Sequence, residues 1–119
     1  MSPRSLEDRY RDILDASERA LRYLGDRDLE AFLQEEAVID GVAMCMLRIG
    51  ETVARLREAG VPLSDTLPWS AMVGMRNVIA HGYHRMAPDE LHRTVRVDVP
   101  VLMAEIRAMI DRIDEDRGP

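Results

Sequence analysis

A single cysteine, Cys45, stands in the 119-residue chain, so no intrachain disulfide can form and no zinc-ligand spacing exists. Cys45 lies in an apolar run and reads as a buried core thiol. Aromatic residues are scarce, at 4%, which leaves the core to Leu, Ile, Val, Ala and eight Met. Lysine is missing altogether: all sixteen basic residues are Arg, more a bias of lineage or codon usage than a functional signal. No apolar run reaches the length of a membrane span. No signal-peptide pattern precedes the charged stretch Arg4-Ser5-Leu6-Glu7-Asp8-Arg9, so the cytoplasm is the expected location. Glycine-rich phosphate loops, internal repeats and low-complexity segments are absent too.

What is present suits one folded domain over 1–119: 46% of residues are hydrophobic and 32% are charged. The net charge of −6 argues against a non-specific nucleic-acid binder, which needs a broad basic face. The charge is unevenly spread. Residues 1–40 balance at −5 and residues 98–119 at −3, whereas residues 70–97 balance at +2 and also hold His81, His84 and His92. Either this segment is a local phosphate site on an acidic protein, or small counts coincide.

Apolar residues recur at three and four along four segments. Ser5, with acids behind it, looks like the cap of a first helix over 5–24, stopped by Gly25. Asp28 can cap a second helix reaching Gly60. At about 1.5 Å per residue it would be long for a small domain, so a bend is expected near Gly41 or Gly50. Its middle, Val42-Ala43-Met44-Cys45-Met46-Leu47, is apolar on every side, which suggests that part of it meets a partner. A loop over 61–67 leads to a third helix over 68–81, closed by Gly82. After a connection over 82–87, a short helix over 89–96 is expected, and its β-branched end is too short for a strand. Pro100 then kinks or restarts a last helix, with Asp98 as its cap and a frayed tail over 114–119. The pattern predicts an all-α, antiparallel four-helix bundle with a kinked or broken last helix.

The third helix carries the chemistry. At about 100° per residue, Trp69, Met72, Val73, Arg76, Ile79, Ala80 and Tyr83 share one side. Ser70, Gly74, Asn77, His81 and His84 fall on the adjacent side. Arg76 thus sits in an apolar stripe, where an unpaired charge is costly. A guanidinium so held is restricted in rotamer and only partly hydrated, and it presents a fork of donors suited to phosphate. His81 can move a proton near neutral pH, and Asn77, one turn before it, can orient it or a phosphate. Arginine, histidine and a polar amide suffice for metal-free cleavage of an RNA phosphodiester. The plainer reading makes Arg76 a structural ion-pair residue, perhaps to a carboxylate of the first two helices. It makes His81 a residue satisfying the last carbonyls of its helix.

Arg76-Asn77-Val78-Ile79-Ala80-His81-Gly82-Tyr83 resembles the Arg-x4-His-x-Tyr signature of HEPN-domain toxins of the HepT type. HEPN stands for higher eukaryotes and prokaryotes nucleotide-binding. Asn77 matches the polar residue that the family places after its arginine. Asp98-Val99-Pro100-Val101-Leu102 is similar to the family's Asp-Leu-Pro-x-Leu segment, and length and helix order also agree. The resemblance implies the toxin of a type VII-like toxin–antitoxin pair, acting as a homodimer and a metal-independent endoribonuclease. It also implies a minimal nucleotidyltransferase antitoxin as partner, which silences the toxin by AMP transfer onto the tyrosine matched by Tyr83. RNA is then the substrate, with neither DNA, membrane, cofactor nor metal involved.

Three points remain for the geometry. Arg76 and His81 are about 140° apart around an ideal helix, so they do not grip one phosphate from one face unaided. Distortion at the glycine-terminated end is one remedy. The other is a two-fold dimer through the small-residue surface Ser70–Gly74–Asn77, and the resemblance implies this second route. Tyr83, read plainly, lays its ring against Trp69 or Met72 and exposes its hydroxyl. His81, His84 and His92 lack a carboxylate or cysteine at a familiar spacing to complete a metal site. The competing functional reading is a non-catalytic nucleotide- or substrate-binding subunit of a nucleotidyltransferase. A purely structural bundle would leave Arg76 unexplained.

Overall fold

Ser2, not Ser5, caps the first helix. Its side chain accepts from the Ser5 N–H at 3.1 Å, and Pro3 opens the helix without an N–H to satisfy. In the computed structural model, which describes residues 1–63 and 67–118, helix α1 runs Pro3–Leu24. It is followed by α2 (Leu29–Leu33), α3 (Glu36–Glu58), α4 (Leu67–Gly82), a 3-10 turn (Tyr83–Arg85), α5 (Pro88–Arg93), a π-helical turn (Thr94–Asp98) and α6 (Val99–Arg117). Of the loop expected over 61–67, residues 64–66 lie outside the described residues, and Leu67 already belongs to α4.

The long second helix of the sequence reading is two helices. Asp28 does cap the first, accepting from the Ala31 N–H at 2.9 Å. The break falls at Gln34 and Glu35 rather than at a glycine, because Arg27 holds Glu35 out of the helix. The Arg27 guanidinium pairs with the Glu35 carboxylate through Nε and, at 3.3 Å, through Nη2, while Nη1 bonds the Tyr23 carbonyl at 3.0 Å. Glu35 therefore adopts φ −123°, ψ 86°. That bond to Arg27 also holds the Glu35 carboxyl below the usual carboxylate range.

Cross-helix pairs fix the directions. Asp15 faces Arg48 at 3.8 Å and Tyr23 faces Gly41, so α1 and α3 are antiparallel. Tyr83 meets Asp40 and Arg76 meets Glu51, so α3 and α4 are antiparallel. Glu7 pairs with Arg117 at 3.3 Å and Glu18 with Arg107 at 3.6 Å, which sets α6 antiparallel to α1. The Arg117 pair also corrects the frayed tail of the sequence reading: α6 stays helical to Arg117. The core they enclose is aliphatic, as composition requires, with Trp69 and Phe32 its only fully buried aromatics among the described residues. Cys45 is buried within it, which raises the thiol pKa. No helix among the described residues is long and apolar enough to cross a membrane.

The last helix distorts just before Pro100. Proline lacks an N–H and crowds the carbonyl four residues back. The chain widens into the π turn over Thr94–Asp98, where the Val99 N–H reaches the Thr94 carbonyl, and α6 continues. Asp98 is not a side-chain cap. It is buried in that turn, with Arg93 at 3.8 Å as its ion partner.

Helix α3 runs unbroken through both of its glycines, and each admits a neighbour. A Cβ on Gly41 would come within 3.3 Å of the Tyr23 ring. One on Gly50 would lie 2.2 Å from the Arg76 Cβ and 2.7 Å from the Met72 carbonyl oxygen, inside any tolerable contact. Gly50 is what lets α4 press onto α3. In an ordinary helix interior, Gly→Ala stabilises by roughly 0.5–1 kcal/mol. Here overpacking, worth about 1–3 kcal/mol, outweighs that gain. We expect Gly50→Ala to lower stability by about 1 kcal/mol or more in urea denaturation. An unchanged or raised midpoint would show that the contact is not tight in solution.

Candidate active site

Arg76 is the best-anchored residue of the motif. Its Cβ lies over Gly50, its side chain is 29% exposed, and its Nε donates to Glu51 Oε1 at 2.9 Å. Nη1 donates to Asn77 Oδ1 at 3.2 Å. The position in an apolar stripe is thus resolved by a partner: Glu51, on the second of the helices the sequence predicted, stands next to the glycine that admits α4. Hydrogen bonding from Arg76 holds the Glu51 carboxyl below its ordinary range. Two of the three guanidinium nitrogens are engaged, which fixes the plane of the fork. Nη2 has no partner among the described residues.

Asn77 and His81 are exposed one turn apart on α4, as the helical spacing requires. The structure joins Asn77 to Arg76 but does not bring His81 to it: among the described residues the His81 imidazole bonds to nothing. Ser70 and Gly74 are exposed on the same outer ridge, and a Cβ on Gly74 would meet nothing within 4 Å. Beside the ridge lies a hollow of about 470 Å³ whose lining includes Gly74, Val78, Arg85 and Glu90.

Tyr83 opens the 3-10 turn past Gly82 and faces α3, not Trp69 or Met72. Those two residues share its side of α4 but are buried more than 10 residues earlier, at least about 15 Å along the axis. Tyr83 instead lines a groove of about 440 Å³ with Asp40, Met44, Leu47, Ile79 and Ala80, and its hydroxyl donates to the Asp40 carboxylate. Burial first, then the bond to Asp40, pushes its pKa up to about 12. The phenol therefore stays protonated at neutral pH. Met44 is 58% exposed at the rim of this groove, so the run over 42–47 is buried except along one edge.

Two polar contacts thus join α4 and the turn after it to α3: Tyr83 with Asp40, and Arg76 with Glu51. Asp40 and Glu51 are about 16 Å apart along α3 by helical rise. Sequence reasoning missed Gly50, Glu51 and Asp40 as site residues. A glycine in a buried helical face is the signal that a second backbone comes close, and Gly50 was legible in that sense. Of the remaining histidines, His84 is exposed on the 3-10 turn. His92 is structural: its ring lies 5.4 Å from Phe32, and Nε2 is 2.9 Å from the Arg27 carbonyl oxygen.

Residues 13–109 match the family described as Ribonuclease HepT-like. A Methanocaldococcus jannaschii protein provisionally named an RNase is 26% identical over 106 residues, spanning 89% of this chain and 97% of its own length. A second from that organism, named likewise, is 24% identical over 87% of this chain and 90% of its own. "Probable ribonuclease HepT" of Thermococcus cleftensis is 26% identical, over 89% of this chain and 96% of its own. No solved structure matches the chain significantly. The matched residues contain all four long helices in part or whole, together with Arg76, Asn77, His81 and Tyr83, and the chain belongs to the Ribonuclease HepT-like family.

Proposed function

We propose that the protein is a metal-independent endoribonuclease of the cytoplasm and the toxin of a toxin–antitoxin pair. The observation that carries this reading is Arg76, clamped by Glu51 and Asn77 with Nη2 free, on the same helix as an exposed imidazole at His81. Arg76 would bind the scissile phosphate and offset the charge that builds on its oxygens. His81 would take the proton of the ribose 2′-hydroxyl as that oxygen attacks phosphorus. The bond from phosphorus to the 5′-oxygen breaks, and that oxygen takes a proton from water or from the imidazolium of a second His81, giving a cyclic phosphate and a 5′-hydroxyl; the imidazole that accepted the first proton returns it to solvent. Asn77 would orient the guanidinium.

Two copies related by a two-fold axis, with their α4 ridges facing, would place two Arg76 and two His81 about one cleft. The exposure of Ser70, Gly74 and Asn77, and the empty space at Gly74, support that packing. Glu51 favours a second reading, since a carboxylate on Arg76 is also what a structural or purely binding role would require. A non-catalytic partner of a nucleotidyltransferase would keep the Arg76–Glu51 pair and have no need of His81.

Silencing would act through Tyr83: a minimal nucleotidyltransferase would transfer AMP from ATP, the phenolic oxygen attacking the α-phosphorus and losing its proton as pyrophosphate leaves. The Tyr83 hydroxyl is held by Asp40, which keeps the phenol in one position for attack on the nucleotide. AMP on Tyr83 would not start beside Arg76, because the hydroxyl bonds to Asp40, about 16 Å along α3 from Glu51. The added phosphate would repel the Asp40 carboxylate and displace the ring from α3, and the bulk of the nucleotide would then stand in the way of RNA.

Three outcomes follow. Arg76→Ala and His81→Ala should each lower RNA cleavage at least about 100-fold and relieve growth arrest. EDTA should leave cleavage intact, and His81→Ala should melt like the wild type. Full activity of His81→Ala in a gel assay would sink the mechanism. Gly74→Leu should split the dimer and reduce cleavage with it; an active monomer in sedimentation at micromolar concentration would remove the two-fold cleft. Co-expression with the nucleotidyltransferase should add AMP to Tyr83 and silence the protein, while Tyr83→Phe stays active and unmodified. Intact mass decides that point, since added mass on Tyr83→Phe would place the modification elsewhere.

A further inference from the structure

A polar hollow of about 310 Å³ lies between α1 and α3, lined by Arg9, Asp12, Arg48, Glu51, Thr52 and Arg55, with Leu47 beneath. On a chain of net charge −6 it gathers three arginines. Arg48 is 3.8 Å from Asp15, but Arg9 and Arg55 have no carboxylate within ion-pair distance among the described residues. Of the acids in the lining, Glu51 is already committed, its Oε1 accepting from Arg76 Nε at 2.9 Å. Asp12 is the other.

Glu51 therefore belongs to two places at once: it lines this hollow and clamps the guanidinium of the candidate active site. Arg55 is one turn beyond Glu51 on α3, a rise of about 6 Å, so a second cation stands one helical turn from the carboxylate that clamps Arg76. Successive phosphates of one extended strand match such a step. Arg55 helps hold the Glu51 carboxyl down through space but makes no direct ion pair with it, and an arginine in an open hollow with its donors unspent has the character of a phosphate contact.

We propose that this hollow is a subsite for a phosphate of the RNA strand flanking the bond held at Arg76, with Arg55 and Arg9 as its contacts. The inference rests on the nuclease reading for the identity of the strand. Its occupant is single-stranded RNA, since the site offers cations at a step and no flat basic face for a duplex. It explains how an acidic protein grips a polyanion: the strand is held at a few points, not over a surface.

The test uses the full chain carrying His81→Ala, so that RNA is bound and not cut, and a labelled oligoribonucleotide of about ten residues read by fluorescence anisotropy. Adding Arg9→Ala and Arg55→Ala should weaken binding roughly tenfold at 0.1 M salt and flatten the log–log salt slope by about 0.7, the share of one phosphate. Arg9→Lys with Arg55→Lys should restore both, because a phosphate contact needs the charge. A dinucleoside monophosphate, which has no flanking phosphate, should bind more weakly than the oligonucleotide to the parent, and the double alanine variant should lose that difference. Thermal melts check the fold of each variant. Unchanged affinity and slope in the double alanine variant would overturn the proposal, whether or not those arginines then serve an acidic protein partner. Failure of the nuclease reading appears separately, as wild-type protein that binds the oligonucleotide but never cleaves it, and the salt slopes still decide the subsite.

Discussion

The structure depends on a missing methyl group. Gly50 has no Cβ, so the backbone of α4 comes close enough for the Met72 carbonyl and the Arg76 Cβ to occupy that space. This approach sets the register of α3 on α4, and the register sets everything else in the groove. Arg76 emerges beside Glu51, the residue after the glycine, and Tyr83 arrives two turns later against Asp40. The packing contact and the charged contact are one feature. The Arg76–Glu51 pair also has a defined pH dependence. Its hydrogen bond lowers the Glu51 pKa, so its stabilisation is present above the ordinary carboxylate range and is lost as pH falls through the lowered value. Both side chains remain partly exposed, so the pair orients the guanidinium more than it stabilises the fold.

The helix faces were legible in the sequence because periodicity reports burial directly. Leu6 through Leu24, the face of α3 and the face of α6 all point where the spacing put them. The ends were less legible, because ends are decided by single side-chain contacts made at a distance. Arg27 breaks the helix at Glu35 from eight residues away, and Arg117 holds the last turn through Glu7 at the opposite end of the chain. Neither can be read from local propensity. Asp98 failed as a cap for a related reason. The strain of Pro100 was absorbed upstream as a π turn, so no fresh helix start was needed there.

The site divides in the same way. A charge on an apolar stripe has to find a partner, and Arg76 announced that much. The partner's identity needed the register of two helices, which the sequence does not contain. For Tyr83, a shared angular face on α4 does not amount to proximity. Its neighbours come from α3, because the chain leaves α4 at Gly82 and turns that ring toward Asp40 and Met44. The His81 imidazole, by contrast, stands where the spacing put it, on the open ridge with Asn77.

An acidic protein that acts on RNA has to solve a problem of repulsion. On the nuclease reading, the acids crowd the outer parts of α1 and α6, while the motif segment over 70–97 is the one with a positive balance. Long-range attraction is then weak, and a strand is held only where individual arginines meet individual phosphates. Few contacts mean that each is a large share of the whole. A groove that binds through so few cations can be closed by a correspondingly small change. On the silencing proposed above, one phosphate added at Tyr83 would repel Asp40 and break the contact of that ring with α3, so one covalent anion would have leverage comparable to that of the substrate.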